Sequence, residues 1–76
     1  MTRWTAEQWC NTGASLLRTD LPLARRLLNH SVQLTPETSV AWFNLGLALH
    51  QQRRIPAAIR AYRQALGLPN APVDAL

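Results

Sequence analysis

The chain has 76 residues, of which 47% are hydrophobic, and its formal net charge at pH 7 is +4. This length allows at most one small domain, and the apolar content is that of a folded protein. No segment reaches the roughly 20 apolar residues of a membrane span, and the N-terminal stretch lacks the apolar region of a secretion signal. Cys10 is the single cysteine, which excludes an internal disulfide. We therefore expect a cytoplasmic protein.

The first half of the chain predicts two helices after a lead at residues 1–5. Thr5 and Gln8 have the spacing of a capping box, which predicts a helix over about 6–18. Asp20 is a good N-cap for a second helix over 21–34, which ends before the proline of TPET. Apolar or small residues recur every three or four positions on one face of each helix: Trp9, Leu16 and Leu17 in the first, and Leu21, Ala24, Leu28 and Ser31 in the second.

The second half predicts two more helices, over 39–52 and 55–67, with a flexible tail at 71–76. Thr38 or Ser39 caps the first of them, and Gly67 ends the second. Trp42, Leu45 and Leu49 share one face of the third helix. No run alternates with a period of two, so we expect no strand. The predicted buried face of the last helix consists of Ile55, Ala58, Ile59, Tyr62, Ala65 and Leu66.

The two halves repeat each other. Six pairs of residues lie 34 positions apart, and three pairs nearer the start of each half lie 33 apart, which one deleted residue in the first corner explains. An internal period of this length is typical of helical repeat proteins. The pairs are Leu21 and Ile55, Pro22 and Pro56, Ala24 and Ala58, Leu28 and Tyr62, Ser31 and Ala65, Leu34 and Leu68, then Trp9 and Trp42, Gly13 and Gly46, Leu16 and Leu49.

This helix-turn-helix unit resembles the tetratricopeptide repeat. The matching residues are Trp42, Leu45, Gly46, Ala58, Tyr62 and Ala65 in the second unit, and Trp9, Gly13, Ala24 and Pro36 in the more degenerate first unit. The resemblance implies an all-α fold, in which tandem repeats at 6–38 and 39–70 place four antiparallel helices in a short right-handed α-solenoid. It also implies a non-catalytic module that binds other proteins.

The glycine in the middle of each first helix predicts a close helix crossing. Glycine there costs about 1 kcal/mol relative to alanine, and small residues let two helix axes approach to about 8 Å. We expect Gly46 to face Ala58, and Gly13 to face Ala24. A large residue at Gly46 or Ala58 is expected to destabilise the fold by more than about 2 kcal/mol through overpacking.

The resemblance further implies that the first helices line a concave groove that binds a peptide. The family's carboxylate clamp uses a lysine and an asparagine at positions that are Cys10 and Ala14 here, so we reject a clamp and expect an apolar or helical ligand. The competing interpretation is that Leu17, Phe43 and Leu47 simply pack inside the protein. The expected groove residues are Cys10, Asn11, Ala14, Leu17, Phe43, Asn44, Leu47 and His50.

An alternative function is oligomerisation or docking within a larger protein. A solenoid usually needs about three units, and this chain has two. The outer side of the last helix therefore has no following unit to pack against. The chain would then associate with itself, or dock elsewhere, through a stacking face made of Ala57, Ala61 and Leu68.

Other chemistry has little support in the sequence. His30 and His50 lie on different predicted helices without a nearby carboxylate or thiol, so we expect no metal or cofactor and no catalytic site. All eight basic residues are arginines, and Arg26 and Arg60 occupy the same position in the two units. They lack interleaved aromatic residues, which favours a solvated face over an acidic partner or nucleic acid.

Overall fold

A computed structural model of the chain describes residues 4–68, which contain four helices and no strand. The helices are α1 (Ala6–Ser15), α2 (Leu21–Leu34), α3 (Ser39–Gln51) and α4 (Ile55–Leu66). α1 packs on α2, α3 packs on α4, and α2 joins the two hairpins by packing on α3. The predicted all-α fold of two helix-turn-helix units is confirmed. The repeat boundaries at 6–38 and 39–70 stay predictions, and the predicted tail at 71–76 lies outside the described residues.

The two predicted N-caps of the first unit are confirmed. The amide of Gln8 donates to Thr5 Oγ1 at 3.2 Å, and the amide of Thr5 donates to Gln8 Oε1 at 2.7 Å, which completes a capping box. The amide of Leu23 donates to Asp20 Oδ1 at 3.3 Å. Each bond satisfies a backbone donor that the helix itself leaves without a partner.

α3 begins differently. Thr38, one of the two predicted caps, is its N-cap residue, but the Thr38 side chain makes no capping bond. A tryptophan fixes the entry to the helix instead, because Trp42 Nε1 donates to the carbonyl oxygen of Pro36 at 2.6 Å. This bond ties the second unit to the loop that follows α2.

α1 ends at Ser15, three residues before the predicted end. The amides of Leu16 and Leu17 bond the carbonyls three residues back, on Gly13 and Ala14, at 3.1 and 3.3 Å. Such bonds tighten the chain into a 3₁₀-like turn and stop the α-helical pattern. α3 and α4 each end one residue before the prediction.

A left-handed residue closes α3. Arg53 has a φ of +62°, its amide donates to the carbonyl of His50 at 2.9 Å, and the amide of Arg54 donates to the carbonyl of Leu49 at 2.9 Å. This pair of bonds is a Schellman motif, in which glycine usually occupies the left-handed position. Arginine holds that position here at a steric cost.

The glycines lie at close helix contacts, as expected. A Cβ on Gly13 would lie 2.8 Å from Cγ of Leu28 and 3.2 Å from the carbonyl oxygen of Ala24. A Cβ on Gly46 would lie 2.7 Å from two ring carbons of Tyr62. The side chain nearest to Gly46 is therefore Tyr62, and not the predicted Ala58. The tyrosine ring takes the space that the missing side chain leaves on α3.

The predicted buried face of α4 is only partly correct. Ala58 and Ala65 are buried, whereas Ile55, Ile59 and Leu66 are 43%, 44% and 42% exposed. Among the described residues, α4 packs extensively only on α3, so just one side of the helix is covered. The apolar residues do recur with helical spacing along α4. However, residues 4–68 contain no helix that covers Ile55, Ile59 and Leu66.

Candidate partner groove

Cys10 and Asn44 join α1 to α3 at the floor of the candidate groove. Cys10 is buried, and the side-chain amide of Asn44 donates to its Sγ at 3.8 Å. The sequence predicts Asn44 at the groove edge, where it would bond a partner's backbone. In the structure Asn44 is half-buried, and the amide is used inside the protein.

The thiol of Cys10 is kept in its neutral form. Burial raises its pKa above the ordinary value of 9.0, the bond from Asn44 works in the opposite direction, and the charge of Glu7 raises it further. A thiolate is the reactive form of cysteine, so this side chain acts at neutral pH as a small apolar surface.

A cavity of about 490 Å³ opens beside Cys10. Its lining includes two of the predicted groove residues, Cys10 and Asn11, and several residues that were not predicted. Two of those, Glu7 and Val40, lie one helical turn before the predicted residues and 33 positions apart, so extending the predicted face by one turn would have found them. The lining comprises Thr5, Ala6, Glu7, Cys10, Asn11, Thr35, Thr38 and Val40.

The middle of the predicted groove is largely occupied by internal packing. Leu17 packs against the core, and the ring of Phe43 lies 5.5 Å, centroid to centroid, from that of Tyr62. Ala14 and Leu47 are half-buried. Leu17 and Phe43 therefore have partners within the protein and are half-buried, so part of each side chain still faces solvent.

His50 lies at the other end of α3 and is exposed. It lines a second cavity, of about 530 Å³, together with Gln51, Arg53 and Ile55. The two cavities therefore divide these predicted groove residues between the two ends of α3. Cys10 and Asn11 line one cavity, and His50 lines another.

An aromatic row on the first unit was not predicted. The ring centroids of Trp4 and Trp9 are 4.9 Å apart, and the ring of His30 meets that of Trp9 edge-on at 4.6 Å. Trp42, the counterpart of Trp9, bonds a loop carbonyl instead. The sequence gives no signal for this row, because His30 and Trp9 belong to different helices.

The predicted stacking face is wrong at its central residue. Ala61 is only 3% exposed and belongs to the core, and Ala57 and Leu68 are half-buried. Ala61 lies three residues after Ala58, and this spacing places both on the side of α4 that faces the rest of the protein. The exposed apolar side of α4 is the one that carries Ile59.

Metal ligands do not cluster in residues 4–68: no group of three or more His, Cys, Asp or Glu side chains there could hold an ion. Across the same range, each helix is too short or too polar to span a lipid bilayer.

The comparisons with known proteins identify one unit. Residues 39–68 match the family model described as "Tetratricopeptide repeat". No curated protein and no solved structure gives a significant match. The matched range covers α3, α4 and the corner between them, which is the unit with the more complete residue pattern.

Proposed function

We propose that the chain, of which residues 39–68 match the tetratricopeptide-repeat family model, is a non-catalytic module. It would hold a peptide or helix of a partner protein between α1 and α3. Domains of this family generally mediate protein–protein interaction. A cytoplasmic location is part of the proposal, because the lone Cys10 needs no oxidising compartment.

The cavity beside Cys10 is the observation that carries the proposal. Its floor is a neutral thiol and its rim bears Asn11, Thr35 and Thr38, so it offers apolar contact below and hydrogen bonds above. Binding sites for peptides and small ligands have this composition, in which few polar groups fix the orientation of an apolar ligand. Asn11 is exposed and is the amide best placed to bond a partner's backbone.

The charges of Glu7 and Arg53 favour one orientation of a bound segment. Glu7 lines the cavity at the start of α1, and Arg53 lines the cavity at the end of α3. A segment long enough to reach both cavities would therefore be favoured when a basic residue lies near Glu7 and an acidic residue lies near Arg53. Charges at the rim of an interface mainly determine orientation and association rate.

A peptide-display selection against the intact chain tests the proposal. Selected peptides are titrated into ¹⁵N-labelled protein, and shifts are expected at Cys10, Asn11 and Val40. Asn11→Ala and Val40→Asp should each weaken binding about tenfold or more, since they remove a hydrogen bond and place a charge in an apolar contact. Both side chains are exposed, so the fold is expected to persist.

Gln33→Ala on the exposed surface of α2 is the matched control and should bind as the parent does. Phe43→Ala is a poor probe, because this ring packs on Tyr62 and its loss disturbs α3 and α4 together. Unchanged affinity in Asn11→Ala and Val40→Asp would exclude the groove. An affinity that falls steeply with added salt would instead indicate binding through the arginines.

A further inference from the structure

α4 carries an apolar stripe that no described part of the chain covers. Ile55, Ile59, Tyr62 and Leu66 follow one another at steps of four, three and four residues, so they lie along one line of the helix. We call this line the α4 face. Tyr62 is half-buried and the other three side chains are exposed. Three large aliphatic side chains exposed together on one helix form a patch, and such patches mark interaction sites.

The protein itself shows how such a face is covered. The residues of α2 that lie 34 positions before the α4 face are Leu21, Arg25, Leu28 and Val32. Leu28 and Val32 are 0% and 3% exposed, whereas Leu66, the counterpart of Val32, is 42% exposed. α2 differs from α4 in having a second helix, α3, packed on it. A helix placed like α3 is therefore what the α4 face lacks.

The residues with which α3 covers α2 can be identified. Ala41, Leu45 and Ala48 share one side of α3 and are all buried. Gly46 faces Tyr62 on α4, and one residue corresponds to about 100° around a helix, so the alanine–leucine–alanine side points away from α4. The other helix that packs extensively on α3 is α2. The covering pattern is thus Ala-x₃-Leu-x₂-Ala, in which two small residues flank a large one.

A second copy of this chain does not present that pattern at its own α1. The counterparts of Ala41, Leu45 and Ala48, 33 positions earlier, are Gln8, Thr12 and Ser15. Two of these side chains bond locally: Gln8 completes the capping box, and Ser15 Oγ donates to the carbonyl of Thr12 at 2.8 Å. Head-to-tail stacking would place these polar side chains, and no leucine, against the aliphatic side chains of the α4 face, so little apolar surface would be buried on the α1 side.

Charge also argues against pairing of two α4 faces. Arg63 lies four residues after Ile59 and three before Leu66, so it borders the stripe, and Arg53 lines a cavity together with Ile55. α4 contains no acidic residue. Two such faces would bring arginines together without a carboxylate, whereas a helix with glutamates beside its apolar stripe would be attracted.

We infer that the α4 face docks an acidic amphipathic helix of another protein, which runs antiparallel to α4 and presents an Ala-x₃-Leu-x₂-Ala stripe as α3 does to α2. This site shares no residue with the cavity beside Cys10. The loss of either one leaves the other in place.

An NMR titration with a designed peptide tests this inference. The probe is an acetylated and amidated helix with Ala, Leu and Ala at the spacing of Ala41, Leu45 and Ala48, glutamates beside the stripe, and Glu–Lys pairs on the far side to raise helicity. Shifts are expected at Ile55, Ile59 and Leu66. Ile59→Glu in the full-length protein should weaken binding at least tenfold, with an unchanged melting temperature because this side chain is exposed.

Two controls separate the outcomes. Replacing the probe's leucine by aspartate should abolish the shifts, and replacing its glutamates by lysines should weaken binding several-fold. Val40→Asp, which tests the groove, should leave probe binding intact. The inference is overturned by an absence of binding, by shifts confined to Asn11 and Val40, or by a concentration-dependent dimer that Ile59→Glu dissociates, since the last would show a second copy on the α4 face.

Discussion

The two units form similar helical hairpins, but the second helix of the first unit is more deeply buried than that of the second unit. Leu28 and Tyr62 occupy the same position and each fills the space above a glycine, yet Leu28 is fully buried and Tyr62 is not. The difference comes from the neighbours, because α2 lies between α1 and α3 while α4 packs extensively only on α3. In a repeat protein the sequence of a unit determines its hairpin, and the adjacent unit determines which faces become core.

The first helices of the two units, α1 and α3, differ in the opposite way, because here the helix of the second unit is the more apolar one. α3 is apolar on the side that packs against α2, whereas α1 carries polar residues at the same positions. The described chain is therefore polar at its α1 end and apolar at its α4 end. Stability should therefore be concentrated in the middle of the stack.

The largest expected difference is between alanine substitutions at Leu28 and Leu66. Leu28→Ala should lower the free energy of unfolding by about 3 kcal/mol, because it leaves a cavity in an enclosed site. Leu66 is partly exposed to solvent, so Leu66→Ala removes less buried apolar surface and should cost less than about 1 kcal/mol. Urea denaturation measures both values. Equal losses would mean that the α4 face is covered in solution.

The glycines give a smaller contrast. Gly13→Ala forces a methyl group against the enclosed Leu28 and a backbone oxygen, so it should cost about 1–2 kcal/mol after the gain in helix propensity. Gly46→Ala meets the ring of Tyr62, which can move toward the open side, so the expected loss is below about 1 kcal/mol. Thermal melts of the two variants give the order, and a larger loss at Gly46 would contradict this account.

The sequence predicted the hairpins well because their determinants are local. The caps at Thr5 and Asp20 depend on neighbouring residues, and the glycine contacts follow from the repeat pattern. The exposure of Ile59 and the burial of Ala61 could not be predicted in the same way. Both lie on an apolar helix, and only the absence of a second neighbour in the described chain decides which side faces solvent.

The groove shows the same limit. Phe43 and Leu17 have the pattern of groove residues, but whether an apolar side chain turns outward or packs on the core depends on the size of its neighbours. The cavity beside Cys10 depends on residues of the α2–α3 loop, Thr35 and Thr38, whose position no helical period predicts.

The corners of the two units differ by one strained residue. Arg53 is the only residue other than glycine with a positive φ in the described range. Arg53→Gly should stabilise the protein by about 0.5–1 kcal/mol, because relief of the left-handed strain exceeds the entropy that glycine adds to the unfolded chain. The neighbour Arg54 has a φ of −90°, so Arg54→Gly should not stabilise. A melting temperature unchanged by Arg53→Gly would argue against the left-handed turn.

The smallest expected effect depends on pH. The first unit has an ionisable Cys10 where the second has Phe43. Because burial raises the pKa of Cys10 in the folded state above 9.0, its contribution to stability is complete below that pH and is lost as the pH rises through the folded pKa. Burial also raises the pKa of Tyr62, above 10.0. As the pH rises above 9.0, the free energy of unfolding should therefore fall less in Cys10→Ala than in the parent protein. Tyr62→Phe removes the other raised group and measures its separate share of the decline.

Native-state hydrogen exchange on the full-length protein tests the central contrast most directly, because it reports the opening free energy of each amide. We predict that amides around Leu28 and Val32 in α2 exchange only through global unfolding. Those around Tyr62 and Leu66 in α4 should open at a lower free energy. Protection of α4 equal to or greater than that of α2 would contradict the account.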